Sequence, residues 1–149
     1  EERLYKIFKE KDEQNTIIKS KIQDIKVNVF EWLEENDILF IDTTHISKIG
    51  SDVNYIFFKI LPVLKPGVII HFHDIFYPFE LPNNWIFENK WFWNEIYILR
   101  AFLMNNKDYK ILLFNSMLHR KYKNWFESEM PACLIGSEET GSIWIKKMR

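Results

Sequence analysis

Leu4, Ile7 and Phe8 recur at helical spacing among glutamates and lysines, which predicts a short amphipathic helix ending near the polar run 11–15. From Thr16 to Ile25 (TIIKSKIQDI) the pattern partly alternates and predicts a strand, and Val27 to Glu35 predicts a helix. Asp37 to Asp42 (DILFID) is an uninterrupted apolar run closed at both ends by aspartate, the pattern of a strand buried on both faces of a parallel sheet. Val53, Ile56, Phe57, Ile60, Leu61 and Leu64 follow the i, i+3, i+4, i+7 rule, so Ser51 to Leu61 should form an amphipathic helix capped by Ser51 or Asp52. Pro62, Pro66 and Gly67 punctuate its exit. Val68 to His73 (VIIHFH) predicts a second buried strand that ends at Asp74. A loop rich in proline and aromatics follows, then an apolar helix from Asn94 to Met104, a strand from Tyr109 to Phe114, a polar segment, and a last strand from Ser142 to Lys146.

Strands alternating with helices along the whole length imply βαβ units, hence an α/β domain over residues 1–149 with a mostly parallel sheet covered on both faces. Composition agrees: 47% apolar and 28% charged residues with a net charge of -1 describe a globular domain and argue against a nucleic-acid partner. Cys133 is the lone cysteine, so no intrachain disulfide can form and the cytoplasm is the expected location. No apolar run approaches the roughly 18 to 20 residues of a membrane span, so no membrane partner is expected. The chain opens inside a predicted helix without an initiator methionine, which leads us to expect a piece of a longer protein.

In parallel sheets, ligands bind outside the carboxyl ends of the strands. Those ends read Asp42, Thr43, Thr44, His45 and His71, Phe72, His73, Asp74. If the two strands are neighbours, two carboxylates and up to three imidazoles meet in one crevice, able to orient a hydroxyl, remove its proton or hold a divalent metal. The competing reading is structural: an aspartate at a strand end can cap the next helix, and a histidine within a strand can be a satisfied core residue. The segment 76–93 carries Tyr77, Phe79, Trp85, Phe87, Trp91 and Trp93, a length and composition suited either to a lid or to packing on the outer helix. GSEETG has P-loop glycine spacing, but Ser142 stands at the lysine position and a strand follows, so a phosphate role is rejected. HFH at His71 and His73 matches the metal-binding H-x-H of barrel hydrolases, a fold that needs about 250 residues.

The segments FID-x-x-H, LKPG, HDI-x-x-P and WNE together resemble bacterial class I S-adenosylmethionine-dependent methyltransferases of the type-24 methyltransferase domain group, from about Leu4 to Ile145. The resemblance implies a Rossmann-like fold with a reversed last strand, here GSIWIKK, and methyl transfer to a small-molecule acceptor, chiefly an oxygen of a sugar or secondary metabolite. It implies Asp24, after a strand ending SKIQDI, near the adenine of S-adenosylmethionine, and Asp42 beside the transferable methyl; Asp24 could instead cap the following helix. His45 and His73 become the candidate bases, and Asp74 a candidate catalytic carboxylate. Some related enzymes hold magnesium with acids at these strand ends, which makes Asp42 and Asp74 candidate ligands, although Ile75 stands where a second oxygen donor often follows. The fold's early glycine-rich turn has no counterpart among Gly50, Gly67, Gly136 and Gly141, so its first two strands are expected to be missing and the remaining sheet to leave an apolar edge or form a homo-oligomer. A noncatalytic binding module of the same fold and a metal-dependent hydrolase are the alternatives.

Overall fold

The computed structural model describes residues 16–134 and 140–149. The predicted helix at Leu4 to Phe8 and the glycine of GSEETG at Gly136 lie outside them. Among the described residues, four strands form one sheet in the order β1-β2-β4-β3: β1 Ile38–Ile41, β2 Ile69–His73, β3 Tyr109–Phe114 and β4 Ser142–Lys147. β1 and β2 pair in parallel, and β4 runs antiparallel to both β2 and β3. Three strands therefore share one direction, and the last is reversed and inserted between two of them. With β4 inside the sheet, two of the three ladders are antiparallel although only one strand is reversed.

A helix over 52–63 crosses from β1 to β2 and supplies the core its apolar stripe predicts. Val53, Ile56, Phe57, Ile60, Leu61 and Leu64 are all buried, facing Ile70, Phe72, Ile143 and Ile145 of the sheet. Ser51 is the cap, its Oγ accepting from the backbone N–H of Asn54 at 3.2 Å. Asp52 does not cap; its side chain binds the loop after β1. The helix widens to a π-helical turn at Ile56–Ile60, where the N–H of Leu61 reaches back to the carbonyl of Ile56. Pro62 lacks the N–H that would bond Phe58 and its ring crowds that carbonyl, so the wider turn lets the proline sit inside the helix. After it, Gly67 adopts φ +92°, and a Cβ there would lie 2.5 Å from Glu35 Cγ, which is why the turn into β2 takes glycine.

Five expectations need correction. Residues from Thr16 to Ile25 form no strand; they are irregular and end in a 3₁₀ turn at Ile22–Asp24. Ile17 and Ile18 are exposed, and a strand needs a partner whose backbone it can pair. The helix expected from Val27 to Glu35 is a 3₁₀ helix at Val27–Trp32. β1 is not buried on both faces: it is the edge strand among the described residues, leaving Ile38 and Phe40 54% and 59% exposed. The polar segment after β3 is helical at Asn115–Lys121 and Lys123–Glu129, and the aromatic loop holds a short helix at Asn83–Phe87.

Phe72 is fully buried and stacks on Phe57 with ring centroids 5.5 Å apart, at the centre of the packing between the sheet and helix 52–63. Phe72→Ala should therefore lower the unfolding free energy by about 3–5 kcal/mol, read as a fall in the urea midpoint at unchanged slope.

Candidate active site

The parallel register pairs Ile41 with Phe72 and so places the ends of β1 and β2 side by side. Asp42 and Asp74 face one crevice as expected, with His45 between them: its Nε2 lies 3.4 Å from Asp42 Oδ1 and 3.6 Å from Asp74 Oδ2. His45 and Asp74 both adopt left-handed backbone, with φ of 56° and 55°. Such positions need support from their surroundings. Asp74 has it from Gly141, whose carbonyl accepts the Asp74 N–H at 2.8 Å; a side chain at Gly141 would run into the Phe76 ring. At His45 the carbonyl accepts from the N–H groups of Asn94 and Glu95 at 3.0 and 3.1 Å.

The helix Glu95–Leu103 begins at that point and brings in a residue the sequence reading left without a role. Glu95 is 2% exposed, and its Oε2 accepts hydrogen bonds from His45 Nδ1 and Thr43 Oγ1, both at 2.8 Å. Trp93 stacks on the His45 ring at 4.2 Å, and Trp91 stacks on Trp93 at 4.9 Å. The WNE segment that helped carry the resemblance thus supplies both the wall and the acid behind His45. Asp52 in turn fixes the strand-end loop, accepting from the Thr44 N–H at 2.8 Å and the Thr44 hydroxyl at 2.7 Å. Within 76–93 the roles divide: Trp85 and Trp93 are half-buried in the ring cluster, whereas Phe87 and Phe92 remain exposed.

The other candidates lie around this centre. His73 Nε2 is 3.6 Å from Asp74 Oδ1, with the imidazole half-exposed. His71 is buried on the same sheet face, stacked on Phe40 at 4.2 Å and edge-on to Trp144 at 4.5 Å, with neither ring nitrogen hydrogen-bonded among the described residues. Asp24 sits not after a strand but in the 3₁₀ turn, where it lines a cavity of about 780 Å³ together with Gln23, Asp42, Thr43, Gly50 and Ser51. Among the described residues, Asp42, His45 and Asp74 offer donor atoms within 4.8 Å of one another, close enough to share a cation; His71 and His73 are not part of that group.

Local electrostatics separate the histidines. Burial disfavours charge on His45, but the hydrogen bond and negative charge of Glu95, with Asp74 and Asp42, outweigh it and raise its pKa above the ordinary 6.5. At His71 burial and the neighbouring His73 win over Asp42 and lower the pKa below 6.5. Burial raises the pKa of Asp74, a shift that Asp42 reinforces and His73 and His45 oppose. The two shifted imidazoles predict the pH dependence of stability. His45 binds protons more tightly when folded, so its contribution is full below 6.5 and is lost as pH rises through its raised folded pKa. His71 binds them less tightly when folded, so its contribution is present above 6.5 and lost as pH falls through its lowered folded pKa. Together they give a stability maximum near pH 6.5. Urea titrations across pH should show it, with His71→Phe flattening the acid limb and His45→Gln the alkaline limb; a profile unchanged by both variants would show that these groups do not set it.

No helix among the described residues is long and apolar enough to cross a membrane. No curated protein and no solved structure matches the chain. Residues 3–75 do match a protein family described as a methyltransferase domain, a stretch that contains β1, helix 52–63, β2 and both strand-end carboxylates. Over these residues the chain is similar to that methyltransferase domain family.

Proposed function

We propose that this chain forms the acceptor crevice of a class I, Rossmann-like methyltransferase that transfers a methyl group from S-adenosylmethionine to an oxygen of a small molecule such as a sugar or secondary metabolite. The observation that carries the reading is the convergence of Asp42, Asp74 and His45 Nε2 at the carboxyl ends of two adjacent parallel strands. The strand order, with reversed β4 between β2 and β3, is consistent with that fold. The cavity beside β1 falls within the roughly 300–1,000 Å³ typical of ligand sites, and its mixed polar and apolar lining fits a nucleoside: Asp24 would hold the adenine end and Asp42 the methyl end.

The bound cofactor supplies an electrophilic methyl group on a sulfonium. The Asp42 carboxylate, facing the cavity, favours positive charge there. His45 presents Nε2 to the crevice and takes the proton of the acceptor hydroxyl, while Asp74 orients that hydroxyl. His73, half-exposed beside Asp74, is the competing base. Asp42 and Asp74 also suit a hard divalent ion such as magnesium, and the His45 nitrogen adds a donor that favours a borderline ion such as zinc. An exposed, unpaired Cys133 is compatible with a reducing compartment, and we place the protein in the cytoplasm.

The protein as its gene encodes it should bind S-adenosylmethionine in calorimetry and methylate members of a panel of hydroxylated acceptors. Asp42→Asn and Asp74→Asn should each lower transfer by about 10²-fold or more with unchanged circular dichroism. His45→Ala should lower turnover more than His73→Ala if His45 is the base. Loss of activity in chelator, restored by one divalent ion, would establish a metal role. Failure to bind the cofactor at all would favour the noncatalytic binding module.

A further inference from the structure

Glu95 is an expensive residue for its position. It is 2% exposed, one of its oxygens serves two donors, and Oε1 has no hydrogen-bond partner among the described residues. A buried carboxylate with an unmet acceptor costs stability unless something specific offsets it. Tethering the strand-end loop does not require it. The backbone N–H groups of Asn94 and Glu95 already hold the His45 carbonyl, and the Asn94 side chain brackets Ser47, accepting from its N–H at 2.6 Å and donating to its carbonyl at 3.2 Å. What the Glu95 carboxylate adds is an acceptor for His45 Nδ1, shared with the Thr43 hydroxyl.

We infer that Glu95 is a positioning residue that fixes the His45 tautomer and ring orientation, placing the proton on Nδ1 and directing the Nε2 lone pair between Asp42 and Asp74. The inference rests on the reading of this crevice as the methyl-transfer site. A neutral imidazole in water prefers its proton on Nε2, which would leave no lone pair facing the crevice; an acceptor at Nδ1 reverses the preference. Thr43 keeps the acceptor in place, donating its hydroxyl to the same Glu95 oxygen and accepting from the His45 N–H at 2.9 Å. Trp93 closes off the ring face, so the imidazole is held in its plane by stacking and about its axis by the carboxylate. The tautomer serves either role of Nε2, since proton acceptance and metal ligation use the same lone pair.

The test is long-range ¹H–¹⁵N correlation of the histidine rings in the full protein, recorded well above the His45 titration. The wild-type ring should show a protonated Nδ1 and an unprotonated Nε2. Glu95→Ala should move the proton to Nε2, whereas Glu95→Gln, whose amide oxygen can accept from both Nδ1 and Thr43, should retain the wild-type pattern. In kinetics, Glu95→Ala should lower kcat by about 10²-fold with little change in cofactor affinity. A wild-type ring protonated at Nε2 overturns the inference without any variant, and so does a Glu95→Ala ring identical to wild type. The tautomer is read without turnover, so a correct ring pattern in a protein that methylates nothing would sink the functional reading and leave the positioning role standing.

Discussion

The parallel register between β1 and β2 is the constraint on which the rest of the site depends. Pairing Ile41 with Phe72 puts Asp42 next to His73 and one residue from Asp74, and it puts Phe40 beside His71 on the opposite face from the core. Strand side chains alternate with period two, so a slip of one residue would turn every one of them to the wrong face. Burial opposes the slip: Ile41, Ile70 and Phe72 are each at most 5% exposed against helix 52–63. That helix also sets the loop after β1, because Asp52 in its first turn takes both donors of Thr44 and thereby leads the chain toward His45. Core packing and site geometry are one structure here, joined through the helix start.

The two buried histidines show how neighbours, and not residue type, decide chemistry. His71 and His45 are each about 5% exposed, at 5% and 6%. His71 has Phe40 stacked on it, Trp144 edge-on and a second imidazole beside it, and burial with that imidazole outweighs Asp42 to favour the neutral form. His45 has one aromatic wall and carboxylates around its edge. Desolvation acts on both in the same direction, and three nearby negative charges reverse its outcome at one of them. The hydrophobic side of Trp93 strengthens this effect, since excluding water lowers the local screening between His45 and Glu95.

Much of this was legible in the sequence because burial leaves period and punctuation behind. DILFID, VIIHFH, YKILLF and SIWIKK are all strands, and the stripe from Val53 to Leu64 is entirely buried. The meeting of Asp42, His45 and Asp74 followed from one assumption, that the first two of those strands were parallel neighbours. What misled was local pattern without tertiary partners. TIIKSKIQDI alternates, yet has no strand beside it among the described residues to accept its backbone hydrogen bonds. The run Ile38 to Ile41 is apolar throughout but lies at an edge among the described residues, since an apolar run records the capacity for burial and not its achievement. The helices at 115–129 carry too mixed a face to announce a period. Glu95 was the deepest omission: a lone glutamate reads as solvated surface, and only the fold carries it across 50 residues to His45. Its flanking tryptophan and asparagine were the available signal.

The exposed face of β1 bears on the site as well as on stability. An edge strand presents unpaired backbone groups, and here it adds Ile38 and Phe40, each more than half exposed. Phe40 is also the ring that stacks on His71, and His73 follows in the same row beside Asp74. Anything that covers Phe40 removes water from the His71 ring stacked on it, and removing water favours the neutral form of that imidazole. Occupancy of the sheet face therefore acts on His71 in the same direction as its burial, through the ring stacked on it and without any movement of the backbone.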